Sequence, residues 1–534
     1  MVAASDSSEE IKASADYVCI GENDHETIQT AINSIAETGG TISLTEGTFY
    51  LATDTYITGN NIIFEGAGED KTLLVWSAGR FGTIGKEYVT LRNFKTTGTG
   101  AIVLWNSSHI KVENVTATVD DSFAGAAFTT FVSSKIIEDI EYNNCKAIDC
   151  GRHGWMSDGW EAPKLIKNIR YVNCKAINCG KDSRFSPHGQ WTCGFQLGEN
   201  SDIDGCEVIN CYAEGNWEAG FIVEGAPTIK NMVIRDCVSK NNGIKPDDYY
   251  NGPDEEMYGC LFGAGFWLND DITLYNCVSE NNRKCGYSVW MKPSSLTTKL
   301  YDCVDTGSEI GFKLDYTENV YLENCTSIDA GKYGIYAASA NDLTTVGLEI
   351  INPGGDGEKC NVFGIKDYPV TNCSFDLDIY GGHGTVIPCL NGQDITFTGT
   401  VRSDNENPVV VSGTNVDITG LNVTSYDDEE EYSFEIKDAS INKETGISVH
   451  ASVKSCTNEG GNAVVIFKLM DGDTVIGLYS GELYIKDVAT FRVRFHGYEP
   501  YPGEQYKVKI YVWDELDSSV ENIGIDLAKP VEIQ

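Results

Sequence analysis

The sequence is poor in proline, in cations and in long apolar runs, and each shortage excludes something. Only 13 of its 534 residues are Pro against 55 Gly, which favours tight turns between strands over a flexible tail. Lys and Arg number 39 against 79 Asp and Glu, and the resulting net charge of −40 repels phosphate backbones and anionic lipids. No run of eighteen apolar residues occurs, so no transmembrane helix is predicted. We therefore expect neither nucleic-acid binding nor membrane insertion.

The 18 cysteines form no CxxC pairs, which excludes a zinc-ribbon arrangement. They recur instead in a phrase of Asn, Asp or Gly followed by Cys, with gaps of 29, 32, 31, 40, 26, 22 and 48 residues. The leading cysteines are Cys145, Cys174, Cys206, Cys237, Cys277, Cys303, Cys325 and Cys373. This recurrence indicates stacked coils, with each cysteine at a turn and most thiols buried and free. Disulfides between adjacent coils remain geometrically allowed.

A second series runs in step with the cysteines and places Gly before an aromatic or aliphatic residue. Its members begin at Gly154, Gly194, Gly220, Gly265, Gly286, Gly311 and Gly334. Short alternating segments such as 232–235 and 320–323 lie between the two series. Each coil is therefore predicted to contain three short strands, and the stacked coils to form a parallel β-helix with like side chains stacked inside.

Near the N-terminus, Ile28, Ala31, Ile32 and Ile35 form an apolar stripe at helical spacing, typical of a helix that covers a solenoid end. The segment 25–50 and the coils after it resemble the right-handed parallel β-helix proteins of the pectate-lyase-like superfamily. The resemblance covers about residues 15–425 and implies a secreted, carbohydrate-active protein, outside the cell or at its surface. We predict an N-terminal tail at 1–14, the β-helix at 15–425, an acidic linker at 426–432 and an Ig-like β-sandwich at 433–534.

In the strand that follows each Gly, the aromatic residue should point inward and its two sequence neighbours outward. On stacked coils, the outward residues should form one continuous face. Rings there would stack on sugars while acids and bases reach the glycosidic bond. The predicted substrate-binding residues are Gln196, Trp191, Trp217, Trp267, Asn269, Asp270, Trp290, Lys292 and Lys313. We expect a polysaccharide as partner, with a monomer as the default state.

Two long connections, 180–193 and 243–265, are predicted to wall the site. Between residues 152 and 190, seven Lys and Arg stand against three Asp and Glu, a basic island suited to holding uronate carboxylates during β-elimination. The segment Asp182–His188 is loosely similar to the Asp-Pro-His loop of mannuronan epimerases, with Ser186 where that loop has Asp. The predicted catalytic residues are His188, Arg184, His153, Arg152, Asp158 and Glu224.

The leading prediction is a polysaccharide-degrading enzyme that acts as a lyase on an acidic glycan, and two alternatives stay open. A glycoside hydrolase would use paired carboxylates such as Asp158, Glu224 and Asp270, whereas an adhesion protein would only bind glycan. Calcium is a candidate cofactor, because the segment 247–256 is rich in hard oxygen donors. Its predicted ligands are Asp247, Asp248, Asp254 and Glu255.

Overall fold

The structure is a computed structural model of the chain, and it describes most of the residues. The described ranges are 1–120, 126–180, 192–223, 229–244, 263–269, 271–290, 297–351, 360–363, 369–382, 386–403, 407–425, 433–443, 447–456, 460–471, 474–495, 506–513 and 526–533.

The chain separates into two compact units, residues 1–425 and 426–534. The first unit begins with β1 (Val2–Ala3), α1 (Glu9–Ser14), β2 (Tyr17–Val18) and α2 (Asp24–Ser34). Helix α2 buries Ile28, Ala31 and Ile32 in the same core as the first coils. Its role as the cover of the solenoid end stays a prediction.

The rest of the first unit is a right-handed β-solenoid of about 12 turns, built from three parallel sheets. Sheet 1 contains β5 (Thr55–Ile57), β8 (Phe81–Ile84), β10 (Ile102–Trp105), β16 (Cys193–Leu197), β19 (Ala219–Val223), β22 (Ala264–Leu268), β25 (Cys285–Trp290), β28 (Ile310–Asp315), β31 (Tyr333–Ala338) and β33 (Cys360–Phe363). Sheet 2 contains β3 (Gly40–Ser43), β6 (Ile62–Glu65), β17 (Asp202–Ile209), β20 (Ile229–Arg235), β23 (Ile272–Tyr275), β26 (Thr298–Tyr301) and β29 (Glu318–Glu323).

Sheet 3 contains β4 (Gly47–Leu51), β7 (Thr72–Trp76), β13 (Lys146–Ile148), β15 (Lys175–Ile177), β18 (Tyr212–Glu214), β21 (Val238–Lys240), β24 (Val278–Glu280), β27 (Val304–Thr306) and β30 (Thr326–Ile328). Eight longer strands bend round a corner and serve more than one sheet. They are β9 (Glu87–Gly98), β11 (Ser108–Val119), β12 (Phe128–Asn143), β14 (Trp155–Val172), β32 (Asn341–Ile351), β34 (Val370–Gly382), β35 (Ile387–Ser403) and β36 (Val409–Ser425). The parallel β-helix predicted from the two recurring phrases is confirmed.

The interior of the solenoid is organised as columns of like side chains, as predicted. Six consecutive ring pairs stack at centroid distances of 4.6–5.1 Å along sheet 1, so one aromatic column crosses seven coils. Its members are Phe128, Trp155, Phe195, Phe221, Phe266, Tyr287 and Phe312. Their spacing follows the strand separation of a β-sheet, which holds the rings at stacking distance.

The cysteine column lies at the turn between sheets 2 and 3, after a residue in the left-handed conformation such as Asn144 (φ 51°). Two members differ from the sequence interpretation. Cys373 lies within β34, in the same row of sheet 2 as Leu343 and Val320, and not at the turn to sheet 3. Cys206 lies within β17 opposite Ile169, and Cys211 occupies the turn before β18 instead. The first cysteine of the segment 206–211 therefore lies one strand earlier in its coil than Cys145 and Cys174 lie in theirs. Among the described residues every cysteine is a free thiol, and only Cys456 is exposed.

A column of buried amides runs beside the inner edge of sheet 3. The Nδ2 atom of Asn216 donates to Oδ1 of Asn242 at 2.8 Å, and Nδ2 of Asn242 donates to Oδ1 of Asn282 at 2.9 Å. Asn242 also accepts from the backbone N–H of Asn216 and donates to the carbonyl of Ala213. The column therefore satisfies backbone groups that the turns leave unpaired inside the coil.

We expect Asn242→Ala to lower the free energy of unfolding by about 2 kcal/mol or more, because it leaves buried donors of Asn216 without their acceptor. Denaturant unfolding measures the change. The control is Asn231→Gly, which removes an exposed amide and suits the left-handed backbone there (φ 53°). Equal losses in the two variants would contradict a special role for the buried column.

The second unit consists of two antiparallel sheets whose buried residues form one core. The three-stranded sheet contains β37 (Phe434–Asn442), β38 (Ile447–Ser455) and β41 (Val488–Phe495). The four-stranded sheet contains β39 (Gly461–Asp471), β40 (Thr474–Ile485), β42 (Tyr506–Trp513) and β43 (Asp526–Ile533). Its assignment as an Ig-like sandwich stays a prediction.

Candidate functional site

A pair of carboxyl groups lies on the outer face of sheet 1, one in the first part of β14 and one just after the end of β16. Strand β14 alternates as predicted, because Ser157 contacts the Tyr171 hydroxyl inside while Asp158 points outward. Asp158 accepts at Oδ1 from the Gly159 N–H at 2.7 Å and from Nδ2 of Asn200 at 2.9 Å. In the described part of the chain both bonds fall on Oδ1, so Oδ2 can take a further donor.

The second carboxyl is Glu199, which the sequence interpretation did not single out. It follows Gly198, whose positive φ of 79° turns the chain at the end of β16. The Glu199 N–H then donates to the Ser157 carbonyl at 3.1 Å, which holds Glu199 against the strand that carries Asp158. A Gly-Glu-Asn sequence directly after a strand of this sheet was the only signal for it.

The surroundings of Glu199 shift its pKa. Burial raises the pKa of the Glu199 carboxyl, the Asp158 charge raises it further, and the Arg152 guanidinium opposes both. Two neighbouring carboxyl groups in different surroundings can divide acid and base roles. Arg152, half-buried on the turn before β14, supplies the positive charge of this site.

His153 does not share the surface with these groups. Its ring is fully buried, and Nδ1 accepts from the Cys193 N–H at 3.3 Å, so the neutral ring carries its proton on Nε2. Burial and then the Arg152 charge hold the pKa of His153 well below its ordinary value. In this structure the His153 ring is buried and does not lie on the outer face, and its catalytic role stays a prediction.

Aromatic side chains flank the carboxyl pair on the neighbouring coils. Trp105, Phe131 and Asp158 occupy successive rungs of one outward row. The Phe131 ring packs edge-on against Trp105 at 5.2 Å and against Trp160 at 4.9 Å, and Trp160 remains 59% exposed. A large exposed ring on a packed aromatic base offers a flat apolar surface for a sugar ring.

The predicted strip is interrupted further along sheet 1. Gln196 and Trp267 do point away from the main core, but both are fully buried. Trp267 packs in a satellite cluster, separate from the main core, which we define as Cys193, Ala219, Ile222, Ala264, Trp267, Cys285 and Ile310. In this structure neither side chain presents an exposed surface to a glycan.

The remaining described members of the strip contact neighbouring groups of the protein. Asn269 Oδ1 accepts from the Trp267 indole at 3.1 Å and from the Trp290 N–H at 3.3 Å. Lys313 lies 3.6 Å from the Asp315 carboxylate and is 8% exposed. Trp217 is half-buried at a turn, where its N–H donates to the Cys179 carbonyl.

The basic island does not form one surface. Arg170 binds Glu141 and Glu207 on sheet 2, and Lys175 lies over the Tyr212 ring on sheet 3. Lys164 and Lys167 also belong to the part of β14 that pairs in sheet 2. Of the described cations only Arg152 lies beside the carboxyl pair, because consecutive sequence segments occupy different faces of each coil.

The other predicted residues lie outside the described residues. They are Arg184, His188, Trp191, Glu224, Asp270 and Lys292, together with the predicted calcium ligands Asp247, Asp248, Asp254 and Glu255. Within the described ranges no group of three or more His, Cys, Asp or Glu side chains is placed to hold a metal. Neither described helix has the length and apolar character needed to cross a bilayer.

Comparisons with solved structures found distant similarities. A surface adhesin, PfbA, of Streptococcus pneumoniae is 12% identical with a TM-score of 0.45, over 67% of this chain and 90% of that chain. The catalytic unit of a GH87 α-1,3-glucanase from Streptomyces thermodiastaticus is 12% identical with a TM-score of 0.37, over 75% of this chain and 67% of that chain. A mannuronan C-5 epimerase A-module from Azotobacter vinelandii is 12% identical with a TM-score of 0.31, over 76% of this chain and 94% of that chain.

These likenesses are too distant to assign an activity, and no curated protein matches the sequence. Residues 188–375 match the family described as the right handed beta helix region. With the three parallel sheets, this match identifies a chain that carries a right-handed parallel β-helix.

Proposed function

We propose that the protein cleaves a polysaccharide by hydrolysis at the outer face of sheet 1, outside the cell or at its surface. The observation that carries the proposal is the pairing of Asp158 with Glu199, whose pKa is raised by burial and by the Asp158 charge. Glycoside hydrolysis needs one carboxyl that keeps its proton and one that is ionised, on either side of the scissile bond.

Each residue of the site then has a role. Glu199 donates a proton to the leaving glycosidic oxygen, and Asp158 acts at the sugar carbon as base or nucleophile. Asn200 and the Gly159 N–H fix the Asp158 carboxylate, so little reorganisation is needed in the reaction. The exposed ring of Trp160 stacks on a sugar unit next to the cleaved bond.

A lyase acting on an acidic glycan is the second candidate, and one observation favours it. Arg152 places a guanidinium beside Glu199, where it can pair with the carboxylate of a uronate. Such pairing lowers the cost of removing the proton next to that carboxylate. The base would then come from a group outside the described residues, such as His188.

Incubation with a panel of neutral and acidic polysaccharides separates these possibilities. Hydrolysis is expected to produce reducing ends without ultraviolet absorbance, whereas β-elimination would produce both. A chelator in parallel samples tests the predicted calcium requirement, because loss of turnover on chelation would support a site at the carboxylates of segment 247–256.

Two results would count against hydrolysis. If every active substrate gives unsaturated products, the reaction is β-elimination and not hydrolysis. Tight oligosaccharide binding with neither product, across the whole panel, would favour a protein that only binds glycan.

A further inference from the structure

The second unit has a charge distribution unlike that of the whole chain. Strands β38 and β41 contain Lys454, Arg492 and Arg494 and no acidic residue. The neighbouring β37 adds Lys437, Glu435 and Asp438, and Glu435 is engaged by Lys437 at 3.0 Å. The three-stranded sheet therefore has two more cations than anions, within a protein of net charge −40.

The cations of this sheet share one side. Val449, Ala451 and Val493 point into the core of the unit, so the alternate residues face away from it. Cross-strand pairing sets His450 opposite both Ser440 and Arg492, and sets Ser448 opposite both Asn442 and Arg494. The two arginines are exposed and, two residues apart on one strand, project in the same direction about 7 Å apart.

These polar side chains surround a shallow depression. Its lining residues are Ser440, Asn442, Ser448, Val449, His450, Arg492, Val493 and Arg494. Two guanidinium groups, two hydroxyls and an amide around one concave surface are the groups that bind oxyanions, and the guanidinium fork matches a carboxylate in geometry.

We propose that this basic face is a binding surface for the carboxylate groups of a polyuronate chain. Charge complementarity favours an anionic glycan, because the sheet carries two more cations than anions in a molecule of net charge −40, and its two guanidinium groups match carboxylates in geometry. The surface belongs to the second unit, and this proposal does not depend on the proposed hydrolysis.

Calorimetric titration of the full-length protein with a short oligogalacturonate tests this surface. The double variant Arg492→Gln and Arg494→Gln is expected to bind about tenfold or more weakly, and wild-type affinity to fall as salt is raised. The matched control is Lys507→Gln with Lys509→Gln, which removes equal charge from the four-stranded sheet, where both lysines contact Glu532. The control is expected to change affinity less than twofold.

Three outcomes would overturn the proposal. If the wild type does not bind the oligogalacturonate, the proposed binding surface is wrong. Equal losses of affinity in both double variants would mean that binding depends on the total charge and not on these arginines. Binding of dextran sulfate or single-stranded DNA that is tighter than the uronate and depends on the same arginines would assign it to a different anion.

Discussion

The Glu199→Gln variant is expected to lose about 10³-fold in kcat on a glycan that the wild type hydrolyses, because the amide cannot give a proton to the leaving oxygen. The substitution keeps the volume of the side chain and the Glu199 N–H bond to Ser157, so the fold should be unchanged. Activity on an aryl glycoside of the same sugar should fall far less, because a phenolate leaves without protonation. Reducing-end assays on both substrates measure this difference.

The pH profile gives a second readout of the same group. A general acid works only while protonated, so the wild-type rate is expected to fall as the pH rises through the raised pKa of Glu199. In the Gln variant, the remaining low rate should no longer fall over this pH range. The control is Glu207→Gln, an acid bound to Arg170 on sheet 2, which should keep full activity. A Glu199→Gln enzyme with wild-type kcat would refute the assignment.

The second large effect is expected inside the solenoid, at Asp305. This side chain is fully buried, and burial raises its pKa from 3.8 to about 7, although bonds to Ser308 and Ser279 oppose the rise. Its Oδ2 atom has no hydrogen-bond partner among the described residues. The folded state therefore favours the neutral acid, and ionising it leaves a charge in the coil.

The sign of the pH dependence follows. A pKa raised on folding means that the folded state binds the proton more tightly, so its stabilisation is complete below pH 3.8 and is lost as the pH rises to about 7. About three pH units at about 1.4 kcal/mol each give a loss of about 4 kcal/mol. Asp305→Asn is expected to remove this slope and to be the more stable protein at pH 8.

Denaturant unfolding followed by tryptophan fluorescence suits this test, since eight of the nine tryptophans precede residue 426. The matched control is Asp302→Asn, three residues earlier at a turn whose φ of 53° suits Asn equally well. The control should retain the wild-type slope between pH 4 and pH 7. Parallel slopes in all three proteins would mean that Asp305 is not the group responsible.

The architecture could be predicted from the sequence because the coil repeats its chemistry. A ring after Gly and a cysteine after Asn mark fixed positions of each coil, and the structure places Phe221 and Cys237 where those phrases predict. Cys206 was wrongly predicted to lie at the turn, because β17 contains a Gly-Cys pair five residues before the turn cysteine Cys211. Spacing alone cannot separate two such candidates, whereas stacking on the neighbouring coil does.

The site was less predictable, for two physical reasons. Alternation predicted that Asp158 and Trp267 point away from the main core, but it does not show how deeply tertiary packing buries them, to 9% and 1% exposure. Glu199 reaches Asp158 through a left-handed Gly198, a local turn that periodicity does not describe. The described cations of the basic island lie on different faces of the coil, because residues close in sequence occupy successive sheets.

The columns inside the solenoid also bear on how such a chain can change over time. Each coil meets its neighbours through the same few inward positions, while the stretch between successive turn cysteines ranges from 22 residues, before Cys325, to 40, before Cys277. Whole coils can be duplicated, or their outer connections lengthened, without altering the aromatic or cysteine columns. The outer face can therefore acquire new specificities by insertion, while the inward residues keep the ancestral scaffold unchanged.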